Sequence, residues 1–172
     1  MKQMKSQQGF TLIELIVVIV ILGILAVTAA PKFISFTTDA NKSALQGLKG
    51  GIAGSMTVVY ADAAIKGVEA AATSSGATYP TAYGYPAATS ASVLTAVAIS
   101  ASTADLNSDW FYKTGVVGGG DNTPTMTIAP SAKFSSIPAD EAAVIAGNCY
   151  VTYTEAKSAS VIPTLVLTTT GC

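Results

Sequence analysis

The stretch "FTLIELIVVIVILGILAVTAA", residues 10–30, is apolar apart from Thr11, Glu14 and Thr28. As an α-helix it would be about 31 Å long, which matches a bilayer hydrocarbon core about 30 Å thick. The preceding residues 1–9 contain two lysines, and positive charge of this kind keeps an N-terminus on the cytoplasmic side of a membrane. The stretch therefore predicts a membrane-spanning helix.

The carboxylate of Glu14 needs an explanation, because a charged side chain at the centre of a spanning helix costs about 2.5–3.5 kcal/mol. A secretory signal peptide cut after Ala29 or Ala30 is the ordinary alternative, but it gives no reason to keep the acid. If the chain is cut between Gly9 and Phe10, the new α-amino group lies about 6 Å from Glu14 along the helix axis. Between neighbouring helices shifted along a common axis, the amine of one subunit would pair with Glu14 of the next and fix their stagger.

These residues resemble the precursors of type IV pilins, which carry a short basic leader, a Gly and a Phe-Thr-Leu-Ile-Glu sequence that opens a long hydrophobic helix. Here Gly9 is followed by Phe10–Glu14, and Pro31 falls where such helices typically bend. The resemblance implies that a prepilin peptidase cleaves after Gly9 and methylates the amine of Phe10. It also implies that Glu14 guides subunit docking during assembly.

The rest of the chain predicts one compact domain, since 172 residues that are 50% hydrophobic and 11% charged can bury a single core beside an anchor. We expect a leader at 1–9, a transmembrane and assembly helix at 10–31, and a globular αβ domain at 32–172. Beyond Pro31, apolar residues at spacings of three and four predict an amphipathic helix with one buried face. That face comprises Phe33, Phe36, Ala40, Ala44, Leu48, Ile52, Met56, Val59 and Ala63.

Residues 67–105, rich in Ala, Ser, Thr and Gly, predict a surface connection, in which residues 90–99 could form a short helix or a strand. From Trp110 onward, "WFYKTGVV", "TPTMTIAP", "NCYVTYTEA" and "TLVLTTT" predict three or four antiparallel strands, with "VVGGGDN" as a hairpin turn. Alternation places Cys149, Val151 and Tyr153 on one face of the sheet. The predicted fold class is α+β: a long N-terminal helix packed on a C-terminal antiparallel sheet, the pilin fold.

The two cysteines, Cys149 and Cys172, have no histidine to complete a metal site and no C-x-x-C spacing. We interpret them as a structural disulfide formed in an oxidising compartment, with two reduced buried thiols as the alternative. Pilins of the resembled family similarly join a C-terminal segment to the sheet.

The composition also indicates several absences. The sequence contains no His and no Arg, and its nine lysines form no basic stripe, so nucleic acid is not expected as a main partner. No arrangement of nucleophile and base suggests an enzyme, and no cofactor is expected. Asp105, Asn107 and Asp109 resemble half of a calcium loop, but Trp110 and Val116 stand where Gly and Glu are needed. We therefore predict a capped turn and no metal site, with calcium binding as the minor alternative.

The expected function is that of a major subunit of an extracellular type IV pilus. Its length, nine-residue leader and "GNCYVTYTEA" look most like the mannose-sensitive haemagglutinin pilins, which implies surface adhesion and biofilm formation. The expected partners are identical subunits, the prepilin peptidase and the inner-membrane assembly machinery. Host or surface glycans are a further candidate, because Tyr79, Tyr83 and Tyr85 could form an aromatic surface, although core packing is the simpler interpretation.

The expected location is the inner membrane of a Gram-negative bacterium for the precursor, and the cell surface for the pilus. Two alternatives remain open: a pseudopilin of a type II secretion system, and a membrane-anchored carbohydrate-binding adhesin. Major pseudopilins generally hold calcium near the C-terminus instead of a disulfide, so the cysteine pair favours a pilin over a pseudopilin.

Overall fold

The computed structural model describes residues 9–116 and 122–172, and the chain divides into two compact units, Met1–Thr38 and Asp39–Cys172. Helix α1, Leu12–Ile65, supplies the helical part of the first unit and continues into the second. Among its described residues, the rest of the second unit comprises a small hairpin, two short α-helices, a π-helical turn, a 3₁₀ turn and a five-stranded sheet. The predicted α+β class is therefore confirmed.

In the first unit, Leu12–Ala29 is long and apolar enough to cross a membrane, with a mean hydropathy of 3.0 and none of its residues buried. Among the described residues it is the only helix that is long and apolar enough to cross a membrane, as judged by length and composition. Phe36, expected on the buried face, is 64% exposed.

In the second unit, α1 buries a narrower face than the sequence predicted. Its fully or nearly fully buried side chains include Leu45, Leu48, Ile52, Val59 and Ala63. Ala40 and Ala44 are exposed instead, so their expected burial is wrong. The reason is geometric: each four-residue step rotates about 40° around the helix, so three steps from Ile52 to Ala40 accumulate about 120°.

The sheet has the strand order β3-β4-β5-β6-β7. The strands are β3 Ala101–Ser102, β4 Trp110–Val116, β5 Pro124–Pro130, β6 Tyr150–Thr154 and β7 Thr164–Thr168. The four strands from β4 to β7 match the predicted segments and pair antiparallel. The sheet has one further strand that the sequence analysis did not predict: β3 pairs parallel to β4 at one edge, and residues 103–109 connect the two strands.

The two faces of the sheet pack against different elements. Met126, Ile128, Val151 and Tyr153 lie in one core cluster with the buried face of α1, so the predicted inward orientation of alternate β6 residues is confirmed. The opposite face forms a second cluster from Phe111, Ala129 and Val144. Val144 belongs to α3, Glu141–Ile145, a helix that the sequence analysis did not predict.

The connection between α1 and the sheet contains more regular structure than expected. Strands β1, Thr81–Ala82, and β2, Tyr85–Pro86, form a hairpin. Residues Ser90–Leu94 form a π-helical turn that leads into α2, Thr95–Val97, so the ambiguous segment at 90–99 is helical in its first part. The predicted "VVGGGDN" turn falls mostly on residues 117–121, which lie outside the described residues, although β4 and β5 pair up to Val116 and Pro124 on either side of it.

Candidate functional site

Helix α1 starts with a capping box made by Thr11 and Glu14. The Thr11 backbone N–H and the Thr11 hydroxyl both donate to Glu14 Oε2, each at 2.8 Å. In return the Glu14 backbone N–H donates to Thr11 Oγ1 at 3.3 Å. Thr11 is thus the N-cap, Leu12 is the first helical residue, and Glu14 occupies the third helical position that completes the reciprocal motif.

This arrangement gives Glu14 a local role that the sequence analysis missed. The first N–H groups of a helix have no intrahelical acceptor, and hydrocarbon offers no water to replace it. The Thr-x-x-Glu spacing was readable as a capping signature. From its charge, Glu14 was expected to pair with a neighbouring subunit. The hydrogen bonds show that the same carboxylate also stabilises the first turn of its own helix.

The expected cleavage junction lies immediately before this cap. Phe10 is 97% exposed, and a Cβ atom placed on Gly9 would meet nothing within 4 Å. Gly9, Phe10 and Glu14 are therefore within one short segment at the start of α1. Pro31 lies inside the bounds of α1, and the bend expected there stays a prediction.

Comparison of the chain with known protein families gives a match in this same segment. Residues 4–30 match the family model described as the prokaryotic N-terminal methylation motif. The match supports a type IV pilin-like protein. No curated protein and no solved structure matches the chain.

A pilin-like motif has consequences for processing and location. It implies cleavage by a prepilin peptidase and assembly into a pilus, and it points to a structural subunit rather than an enzyme. Together with the apolar helix it fits a membrane-anchored precursor that becomes a surface pilus. The match leaves pilin and pseudopilin as the two classes, because it covers the N-terminal motif and none of Asp39–Cys172.

The C-terminus of the chain is held close to the start of β6 at several points. Cys149 and Cys172 form a disulfide. The Gly171 N–H donates to the Asn148 carbonyl at 2.8 Å, and Lys133 Nζ donates to the Gly171 carbonyl at 2.6 Å. A Cβ atom on Gly171 would overlap the Gly147 carbonyl oxygen, so the close approach of the two segments requires glycine.

The acidic loop before β4 forms the predicted capped turn. Asp105 Oδ1 accepts hydrogen bonds from the Asn107 backbone N–H at 2.8 Å and from Asn107 Nδ2 at 2.7 Å, as in an Asx-turn. Across residues 9–116 and 122–172, no group of three or more His, Cys, Asp or Glu side chains is placed to hold a metal ion.

The three tyrosines expected to form an aromatic surface have different surroundings. All three, Tyr79, Tyr83 and Tyr85, are half-buried. Tyr85 packs on Tyr60 with ring centroids 4.7 Å apart, which is an intrachain packing role. Tyr83 instead lines an open cleft.

Proposed function

We propose that this protein is the major structural subunit of an extracellular type IV pilus, which polymerises through the apolar part of α1. The observation that supports this most strongly is the combination found at the start of that helix. An exposed Phe10 junction and the Thr11–Glu14 capping box immediately precede apolar side chains, none of them buried within the chain.

Cleavage after Gly9 and methylation of the Phe10 amine would produce a cation close to Glu14. Both hydrogen bonds from Thr11 end on Oε2 of Glu14, and a carboxylate has about four lone-pair sites. The capping box and an ion pair with the Phe10 amine of a neighbouring subunit are therefore compatible. In this proposal the cap stabilises the helix start and the ion pair fixes the stagger between subunits.

Transfer from the membrane to the filament requires little change in the surroundings of α1. The side chains of Leu12–Ala29 contact lipid in the precursor and the apolar helices of other subunits in the pilus, so burial is similar in both states. The prepilin peptidase processes the precursor, and the inner-membrane assembly machinery of a Gram-negative cell powers extraction.

The filament would support surface adhesion and biofilm formation, as in the mannose-sensitive haemagglutinin pilins that the sequence resembles. A periplasmic pseudopilin is the second candidate, because the N-terminal motif fits both classes. The disulfide between Cys149 and Cys172 favours the pilin, since secreted fibres benefit from a covalently fixed C-terminus.

The experiment combines mass spectrometry with electron microscopy. We expect the mature protein to begin at a methylated Phe10 and to form long surface filaments that an antibody to this chain labels. A start near residue 31 would contradict the pilin assignment and restore the signal-peptide interpretation. A methylated Phe10 without surface filaments would favour the pseudopilin.

A further inference from the structure

Two tyrosine rings are in direct contact where α1 meets the β1–β2 hairpin. The ring centroids of Tyr60 in α1 and Tyr85 in β2 lie 4.7 Å apart, and the ring planes are tilted by 30°. This centroid distance is at the short end of the range for aromatic pairs. The described residues contain one other aromatic pair, Phe111 and Phe134, so only the tyrosine pair brings two phenols together there.

The β1–β2 hairpin holds Tyr85 at a defined position against α1. Pro86, the next residue in β2, accepts through its carbonyl a hydrogen bond from the hydroxyl of the buried Tyr153, which joins the hairpin to the sheet. Gly84 lies in the turn with φ of 80°, and a Cβ atom there would be 2.9 Å from Cδ2 of Tyr60. Glycine at this position therefore allows the helix and the hairpin to approach closely.

The two phenols differ in their access to solvent. Tyr60 is 38% exposed, whereas Tyr85 is half-buried beside it. A one-electron oxidant in solution therefore reaches Tyr60 first and removes one electron and the phenolic proton. The radical on Tyr60 can regain an electron and a proton from Tyr85 through the ring contact. A second oxidation at Tyr60 then leaves one radical on each ring.

We propose that Tyr60 and Tyr85 are a modification site, at which a peroxide-driven one-electron oxidant of phenols joins the two rings as dityrosine. Each phenol loses one electron and one proton, and a carbon–carbon bond forms between the ring carbons next to the hydroxyls. The hydrogen atoms on these carbons then move to the oxygens and restore both phenols. Hydrogen peroxide takes up the two electrons and the two protons and becomes two water molecules. Because the rings are already in contact, coupling within the chain is favoured over coupling between chains.

The new bond would join α1 covalently to the β1–β2 hairpin. Like a disulfide, it would restrict the unfolded chain between residues 60 and 85 and so stabilise the folded domain. We expect the cross-linked protein to unfold at a higher denaturant concentration than the untreated protein, and an unchanged midpoint would contradict this effect. The site lies within one subunit, so it is independent of polymerisation and of the proposed pilus function.

The test is oxidation of full-length monomers in micelles by a peroxidase and hydrogen peroxide, at low protein concentration. Cleavage at lysine separates the two tyrosines, because Lys66 lies between them and places them on the peptides 50–66 and 67–113. We expect dityrosine fluorescence in the monomer fraction. We also expect a cross-linked peptide pair whose mass is two hydrogen atoms below the sum of the two peptides. Dityrosine confined to dimers, or no dityrosine at all, would overturn the proposal.

Phenylalanine variants identify the rings that react. They keep the ring and remove only the hydroxyl, so we expect them to fold without being able to form a phenoxyl radical. Tyr60→Phe and Tyr85→Phe should each abolish the cross-link. Tyr79→Phe and Tyr83→Phe change tyrosines on the same peptide as Tyr85 and should leave the yield unchanged. A wild-type yield in Tyr60→Phe or Tyr85→Phe, or a loss of the cross-link in Tyr79→Phe or Tyr83→Phe, would contradict the proposal.

Discussion

The hydroxyl of Thr11 donates to the carboxylate of Glu14 at 2.8 Å, and the Glu14 N–H donates back to that hydroxyl. An acid inside an apolar stretch is thus retained at a position where helix geometry requires an acceptor. The same carboxylate lies next to Phe10, where the proposed processing would create a cation. One side chain can therefore serve both the start of its own helix and the register of the polymer.

Loss of the capping box should loosen the first turn of α1. Replacing Thr11 by Val keeps the size of the side chain but removes the hydroxyl, which we expect to cost about 0.5–2 kcal/mol at the helix start. Amide hydrogen exchange of residues 12–14 in micelles measures the effect. Thr11→Ser keeps the hydroxyl and should exchange like the wild type. Equal protection in Thr11→Val would show that the cap contributes nothing.

Gly115 in β4 makes room for the carboxylate of Glu141. A Cβ atom on Gly115 would overlap Glu141 Oε2, and this carboxylate accepts hydrogen bonds from the buried Thr125 and Thr127 hydroxyls at 2.9 and 2.6 Å. We expect Gly115→Ala to lower the free energy of unfolding by about 1–3 kcal/mol, because it displaces a charged acceptor from these hydroxyls.

The matched control for this variant is Gly50→Ala on α1, where an added Cβ would meet nothing within 4 Å. Alanine is the better helix former by about 1 kcal/mol, so Gly50→Ala should raise the free energy of unfolding. Denaturant unfolding of full-length monomers in micelles compares the two. A Gly115→Ala protein as stable as the wild type would mean that the Glu141 contact is dispensable.

The disulfide between Cys149 and Cys172 closes a loop of about 24 residues, for which chain entropy gives about 3.4 kcal/mol of stabilisation. We expect the Cys149→Ser, Cys172→Ser double variant to lose stability of this order in denaturant unfolding. Lys133→Met, which removes the hydrogen bonds to the Gly171 and Cys172 carbonyls but keeps the disulfide, should lose much less. Similar losses in the two proteins would indicate that the disulfide adds nothing to the noncovalent contacts.

Glu155 predicts a pH dependence of stability. Burial raises the pKa of its carboxyl in the folded state, so the folded protein binds this proton more tightly than the unfolded chain does. At neutral pH, the charge of the partly buried Glu155 carboxylate lowers the free energy of unfolding. This cost disappears as the pH falls through the pKa that the carboxyl has in the folded protein toward the pKa that it has in the unfolded chain. Glu155→Gln should therefore melt at a higher temperature than the wild type at about pH 7, with the difference lost near pH 4. A constant difference across this range would contradict the assignment.

The sequence predicted the elements whose signal is local. Alternation in "CYVTYT" oriented Val151 and Tyr153 correctly, and the length and hydropathy of Leu12–Ala29 identified the apolar helix. The exposure of Ala40 and Ala44 on α1 was not predicted, because residues spaced four apart shift around the helix at each step. The shift is small over one turn and becomes large only over several turns. Helix α3 has only one turn, and its contact with Gly115 depends on strand pairing that is distant in sequence.

The candidate sites also differ in how far the amino-acid sequence predicts them. The Gly9–Phe10 junction and Glu14 lie within six consecutive positions of the chain, so their pattern is recognisable in the amino-acid sequence alone. The contact between Tyr60 and Tyr85 joins α1 to the β1–β2 hairpin, which only the tertiary fold brings together. This contact was invisible in the sequence, because it depends on the pairing of Ala82 with Tyr85 across a two-residue turn.

The most direct test of the central claim is the filament yield of Glu14→Gln, normalised to the amount of processed subunit. Glutamine at this position can still complete the capping box but cannot form an ion pair with the Phe10 amine. We expect normally processed Glu14→Gln subunits to form few or no filaments, while Thr11→Val, which keeps the carboxylate, still polymerises. Wild-type filament yield from Glu14→Gln would contradict the account.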